Sequence, residues 1–240
     1  MVRSAQELEQ PVRVLSTGTE DIDAKIGGGI PYQTLMLIEG DSASGKSTLS
    51  QQFLWGALES GEKAAIYTTE QTVQSFNRHM SSLGMDVRDY FLLDHLKIYP
   101  VSVPPDSIDP SYMFQELSDH INNQSDCRVI VFDSLTTFVS GVGGDQIQSF
   151  FTQCKSLCDA GKVIICTVHS QAFDAGVMLR VRSICDAYLQ LRIQKTGSHL
   201  QKTIEVAKIK GAETNTGNIS GFEVEPGLGI RIVPILKARA

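Results

Sequence analysis

Residues 35–48, Leu35-Met36-Leu37-Ile38-Glu39-Gly40-Asp41-Ser42-Ala43-Ser44-Gly45-Lys46-Ser47-Thr48, decide the fold. Leu35 to Glu39 is an apolar run of strand length. Gly40 to Ser47 fits GxxxxGK[ST] at every fixed position, the loop that cradles phosphates between a strand and a helix. Lys46 to Glu59 then reads as an amphipathic helix, with Leu49, Phe53, Leu54, Ala57 and Leu58 at helical spacing and Ser60-Gly61 ending it. The chemistry needs this order. Gly40 and Gly45 permit the tight path that turns the amides around Ser42, Ala43, Ser44 and Gly45 inward, and the positive helix end adds to them. Lys46 is a point charge for β- and γ-phosphates. The Ser47 hydroxyl is placed to ligate Mg²⁺, and Thr48 to reach an α-phosphate oxygen. The competing reading is an ordinary glycine turn before a helix.

Further along, Val129 to Phe132 is a buried-strand pattern ending in Asp133. A carboxylate at such a strand tip can hold Mg²⁺ opposite the phosphate loop; it can also cap the next segment. Glu70 follows the strand pattern Ala64 to Thr69. If that strand lies beside the phosphate-loop strand, Glu70 can orient a water attacking the γ-phosphate; otherwise it is a helix-initiating acid. His169 follows a fourth strand pattern, Val163 to Thr167, where a polar group can sense the γ-phosphate or make a local hydrogen bond.

Around these motifs, helix-period segments alternate with strand-length apolar runs. Helices are expected over Gln71 to Leu83, Tyr112 to Ile121 and Asp145 to Cys158, a short strand over Leu96 to Val101, and a proline-rich loop over Val103 to Pro110. After Asp186 the pattern becomes alternation, in Tyr188 to Ile193, Thr203 to Ile209, Phe222 to Val224 and Gly229 to Val233, with a loop around Gly197. That describes an α/β domain: a mostly parallel central sheet flanked by helices, with a C-terminal antiparallel extension.

The 240 residues suit one domain over 1–240, and 42% apolar residues argue against disorder. A net charge of −6 argues against strong nucleic-acid binding. No apolar run approaches the roughly 20 residues of a membrane span, and Met1 to Gln10 lacks a signal-peptide core, so a cytoplasmic location is expected. The five cysteines form no CxxC and read as reduced core residues.

Several motifs in order resemble the RecA superfamily of P-loop NTPases, in its KaiC-like branch. They are Ser16-Thr17-Gly18 with Asp23, Gly27-Gly28-Gly29-Ile30-Pro31, the phosphate loop, Thr69-Glu70-Gln71-Thr72, Asp133-Ser134-Leu135, and Ile204 to Gly211. The likeness covers Val12 to Pro234. Leu37-Ile38-Glu39-Gly40, Gly45-Lys46-Ser47 and Leu49-Ser50-Gln51-Gln52-Phe53 are similar to the archaellum accessory subfamily of that branch. The resemblance implies ATP and Mg²⁺ as ligands, a homo-oligomeric ring such as a hexamer, and work beside the motor ATPase FlaI and a membrane-anchored scaffold ring at the base of the archaeal filament. It assigns Glu70 a catalytic role and Ser82 a nucleotide contact, although Ser82 also reads as a surface helix serine. It places Lys208 and Lys210 against a neighbouring subunit's nucleotide; the plain reading of both is a solvated strand face.

Two departures bear on turnover. The branch carries adjacent glutamates where this chain has Glu70-Gln71, and lysines occupy 208 and 210, without the bidentate fork of arginine. Both favour binding over hydrolysis, and so a nucleotide-dependent regulatory or assembly subunit. The alternative is an active ATPase, DNA-stimulated like a recombinase or an autokinase.

Overall fold

The computed structural model describes residues 13–102, 110–196, 199–212 and 217–235. Met1 to Gln10, most of the proline-rich loop and the turn at Gly197 lie outside them. The elements run β1 (Val14–Leu15), α1 (Glu20–Lys25), β2 (Ile30–Pro31), β3 (Leu35–Gly40), α2 (Lys46–Glu59), β4 (Ala64–Thr68), α3 (Val73–Ser82), α4 (Arg88–Leu92) and β5 (Leu96–Pro100). They continue with α5 (Pro110–Asn122), β6 (Val129–Asp133), α6 (Gly144–Asp159), β7 (Val163–His169), α7 (Ala175–Ile184), β8 (Ala187–Thr196), β9 (His199–Ile209), β10 (Ile219–Glu225) and β11 (Gly229–Val233).

The central sheet has nine strands in the order β11-β10-β9-β8-β3-β7-β6-β4-β5. From β8 to β5 all neighbours are parallel. From β8 to β11 they are antiparallel. Alternation along β3 supplies both sides: Met36 and Ile38 pack into a core with α2 and α3, while Leu35 and Leu37 pack into a core with α5, α6 and α7. β3 lies between β7 and β8, so the phosphate loop leaves the centre of the sheet at its C-terminal edge, the place where open α/β sheets bind ligands.

Two expectations change. The helix after the phosphate loop is buried nearly all round instead of amphipathic, with Ser50, Gln51 and Gln52 all inside. Its polar side chains have work to do there: Gln52 Nε2 donates to Thr19 Oγ1 at 2.8 Å, and its Oε1 accepts from Ile230 N at 3.3 Å. In addition, β4 is not beside β3; β7 and β6 intervene. Helices α1, α4 and α7 and the β1–β2 pair were not expected from periodicity, being short or weakly patterned.

The Ser16-Thr17-Gly18…Asp23 motif is a clasp. Asp23 accepts from Thr17 N at 2.9 Å, from Thr17 Oγ1 at 2.8 Å and from Ser16 Oγ at 2.5 Å. It holds the entering chain so close to α2 that a Cβ on Gly56 would stand 2.0 Å from Ser16 O.

Candidate functional site

The sheet's C-terminal edge opens into a cleft of about 490 Å³. Its floor is the phosphate loop. Ala43 (φ 61°) and Gly45 (φ 100°) both hold left-handed backbone, the conformation that turns successive amides to one side. Alanine pays for that conformation and glycine does not. A Cβ on Gly40 would meet Leu191 O and Ser44 Oγ, each at 2.6 Å, so the strand can approach β8 only as glycine. Ser42, Ala43, Gly45, Lys46, Ser47 and Thr48 line the cleft. The Ser44 side chain is buried under the loop, and its hydroxyl has no hydrogen-bond partner among the described residues.

The Lys46 ammonium donates to Asp41 O at 2.8 Å. Burial in the cleft lowers its pKa, and Asp133, Glu70 and Asp41 oppose that shift. Ser170 Oγ donates to the Asp41 carboxylate and so ties the loop to the end of β7. Asp133 is 2% exposed, and its Oδ1 accepts from Ser47 Oγ at 2.9 Å and from Thr167 Oγ1 at 3.0 Å. Burial pushes the Asp133 carboxyl up to about 6 against those hydrogen bonds. A desolvated carboxylate beside a serine hydroxyl is a hard-oxygen donor pair of the kind that suits a divalent cation.

Glu70 lines the same cleft although its strand lies three positions from β3. It reaches there because Thr69 N donates to Asp133 O at 3.2 Å, which extends the β4–β6 pairing past the strand end. Its carboxylate is exposed at the mouth. His169 is also on the wall, with its amide on Thr136 Oγ1 at 2.9 Å and its Nδ1 accepting from Gln171 N at 3.2 Å.

Three named residues sit elsewhere in this chain. Ser82 Oγ donates back to His79 O at 2.7 Å in the last turn of α3, and His79 lines the cleft in its place. Lys208 donates to Cys185 O at 2.5 Å, at the C-terminal end of α7, and Lys210 pairs with Asp186 at 3.1 Å. A register shift between Tyr188 and Leu189 causes this. It inserts Ala207, so Lys208 turns to the face opposite Ile204 and Val206.

Residues not singled out in the sequence also line the cleft: His79, Thr136, Thr137, Lys202 and Val224. Lys202 shares the β9 face of Ile204 and Val206 by plain alternation, on the side of the bulge where the register is unbroken. Burial lowers the His79 pKa. Among the described residues no cluster of three metal-ligating side chains occurs, and no helix is long and apolar enough to cross a membrane.

Comparison with known proteins gives a consistent result. Residues 15–237 match the family model described as ATPase: KaiC. The archaeal flagellar ATP-binding protein FlaH of Sulfolobus acidocaldarius is 34% identical over 95% of this chain and 100% of its own. FlaH of Methanocaldococcus jannaschii is 27% identical over 89% of this chain and 92% of its own. The crystal structure of the flagellar accessory protein FlaH from Methanocaldococcus jannaschii superposes with a TM-score of 0.80 at 25% identity, over 92% of this chain and 99% of that one. A KaiC-like protein from Pyrococcus horikoshii superposes with a TM-score of 0.75 at 22% identity, over 93% and 100% of the two chains.

Proposed function

Because the chain belongs to the KaiC family of ATPases, and within it to the archaeal flagellar ATP-binding proteins named FlaH, we propose that it is an ATP- and Mg²⁺-binding regulatory and assembly subunit of the archaellum motor complex. It works at the cytoplasmic face of the filament base, in a ring beside the motor ATPase FlaI and the scaffold ring.

The observation that carries the reading is the Ser47–Asp133 pair, 2.9 Å apart, where the buried carboxylate meets the loop residue that follows Lys46 on the cleft floor. The left-handed loop fits a phosphate chain, and Ser47 with the buried Asp133 fits Mg²⁺. The cation, when bound, supplies charge neutralisation between phosphates and carboxylate. Ser42 to Gly45 would present amides, Lys46 would answer the terminal phosphates, and Thr48 would stand next to the loop exit.

Among the described residues Glu70 is the single carboxylate that lines the cleft, and no arginine lines it. Both features favour slow turnover, since a positioned arginine accounts for much of the rate in related chemistry. Lys208 and Lys210 could serve a neighbour's nucleotide only by leaving Cys185 and Asp186.

A calorimetric titration of ATP with Mg²⁺, with and without FlaI, tests the proposal. The expected result is tight binding, feeble hydrolysis, and FlaI affinity that changes with nucleotide. Equal FlaI affinity in the presence and absence of ATP would overturn the regulatory reading.

A further inference from the structure

A second concavity, of about 470 Å³, lies beside the nucleotide cleft at the ends of β4 and β5. Its floor is Tyr67, 2% exposed and stacked between Tyr99 and Phe132, with ring centroids 5.0 Å apart on both sides. The Tyr67 hydroxyl is fixed by His120 Nδ1 at 2.7 Å, so the floor is rigid and satisfied. Tyr99, Phe138 and the 58% exposed Tyr112 form aromatic walls. Glu116 stands at the rim, accepting a hydrogen bond from the Tyr112 hydroxyl.

Among the described residues neither lysine nor arginine lines this pocket. Aromatic and aliphatic walls with one carboxylate at the mouth suit an apolar stem that ends in a cation. A guanidinium suits it better than an ammonium, being planar, weakly hydrated and able to stack on tyrosine while bonding a carboxylate.

The two concavities share a wall. Ser134, Thr136 and Thr137 line the nucleotide cleft, and Phe138, the next residue, lines the aromatic pocket. The segment is pinned by Leu135 N on Thr167 O at 2.9 Å and by Thr136 Oγ1 under the His169 amide. Whatever shifts Thr136 and Thr137 also moves Phe138.

We infer that this aromatic pocket docks an arginine side chain presented by a partner protein, and that the shared segment 134–138 makes its affinity answer to the nucleotide. The coupling rests on the nucleotide reading above; the pocket itself does not.

The test is NMR titration of the full chain, with and without ATP and Mg²⁺, using acetyl-arginine-methylamide and its uncharged isostere acetyl-citrulline-methylamide. The arginine probe should shift Tyr99, Tyr112 and Phe138 ring signals, and the citrulline probe should bind several-fold more weakly. Glu116→Gln and Tyr112→Leu, both at exposed positions, should each weaken the arginine probe roughly 3-fold with unchanged thermal midpoints. ATP with Mg²⁺ should change the probe affinity at least 3-fold. Equal binding of the two probes, shifts that map elsewhere, or indifference to Glu116→Gln would overturn the arginine site. Equal affinity with and without nucleotide would overturn the coupling. A protein that binds ATP yet ignores the arginine probe sinks this inference alone.

Discussion

At the residue scale, Asp133 is the group whose chemistry is most exposed to experiment. Its carboxyl sits at about 6 in the folded protein, raised by burial from an ordinary value of 3.8. The folded state therefore holds that proton more tightly than the unfolded chain does. Without nucleotide, this group favours folding below about pH 4, and its contribution turns progressively unfavourable between about pH 4 and pH 6. Asp133→Asn should raise the stability of the nucleotide-free protein at pH 7 by about 1–3 kcal/mol while abolishing Mg²⁺-dependent ATP affinity. Urea melts at pH 5 and pH 7 beside calorimetry measure both, and a destabilised apo variant would contradict the account. Lys46→Met should weaken ATP binding at least tenfold, about 1.4 kcal/mol, because it removes the ammonium that the phosphate loop itself holds in the cleft through Asp41 O. The phosphate loop, Asp133 and Glu70 were legible because each is a fixed residue type at a strand end. Lys202, His79 and Val224 were not, because nothing local marks which face of β9, α3 or β10 meets a cleft built from distant strands.

At the element scale, strands β3, β4, β6 and β7 announce themselves as apolar runs bounded by polar residues. Helix α2 shows where such reading stops. Its glutamines look like a solvated face, yet both are buried, and Gln52 is held inside by Thr19 and Ile230, which lie 33 and 178 residues away in sequence. Gly56 is part of the same packing. Gly56→Ala drives a methyl onto the Ser16 carbonyl, 2.0 Å from its ideal place, and should cost about 1–3 kcal/mol by chemical denaturation. The strand β3 is locked to α7 by Glu39, 2% exposed, which accepts from Arg182 at 2.6, 2.8 and 3.0 Å and from Tyr188 OH at 2.8 Å. Arg182→Met leaves that carboxylate buried with tyrosine alone. The expected loss is about 2–3 kcal/mol, under the range for a fully enclosed pair because Arg182 remains partly in water. Arg182→Met combined with Glu39→Gln should recover most of it; no recovery would mean that the arginine stem, not the charge, matters.

At the scale of the whole molecule, ligand and fold are linked through the central strands. ATP with Mg²⁺ at a hundred times its dissociation constant should stabilise the protein by about 2.7 kcal/mol. For a chain of this size that raises the thermal midpoint by roughly 5–10 °C, and Ser47→Ala should remove most of the Mg²⁺-dependent part. The sheet order also carries a lesson for anyone cutting the gene. The phosphate-loop motif ends at residue 47, yet the cleft borrows Lys202 and Val224 from β9 and β10, and Gly40 leans on Leu191 of β8. A fragment stopped near residue 186 would keep the phosphate loop, Glu70 and Asp133 and lose one bank of its own binding trench, with the flank of its middle strand bared to solvent. Motif searches on partial reads would score such a piece as competent, and a nucleotide column would let it pass straight through.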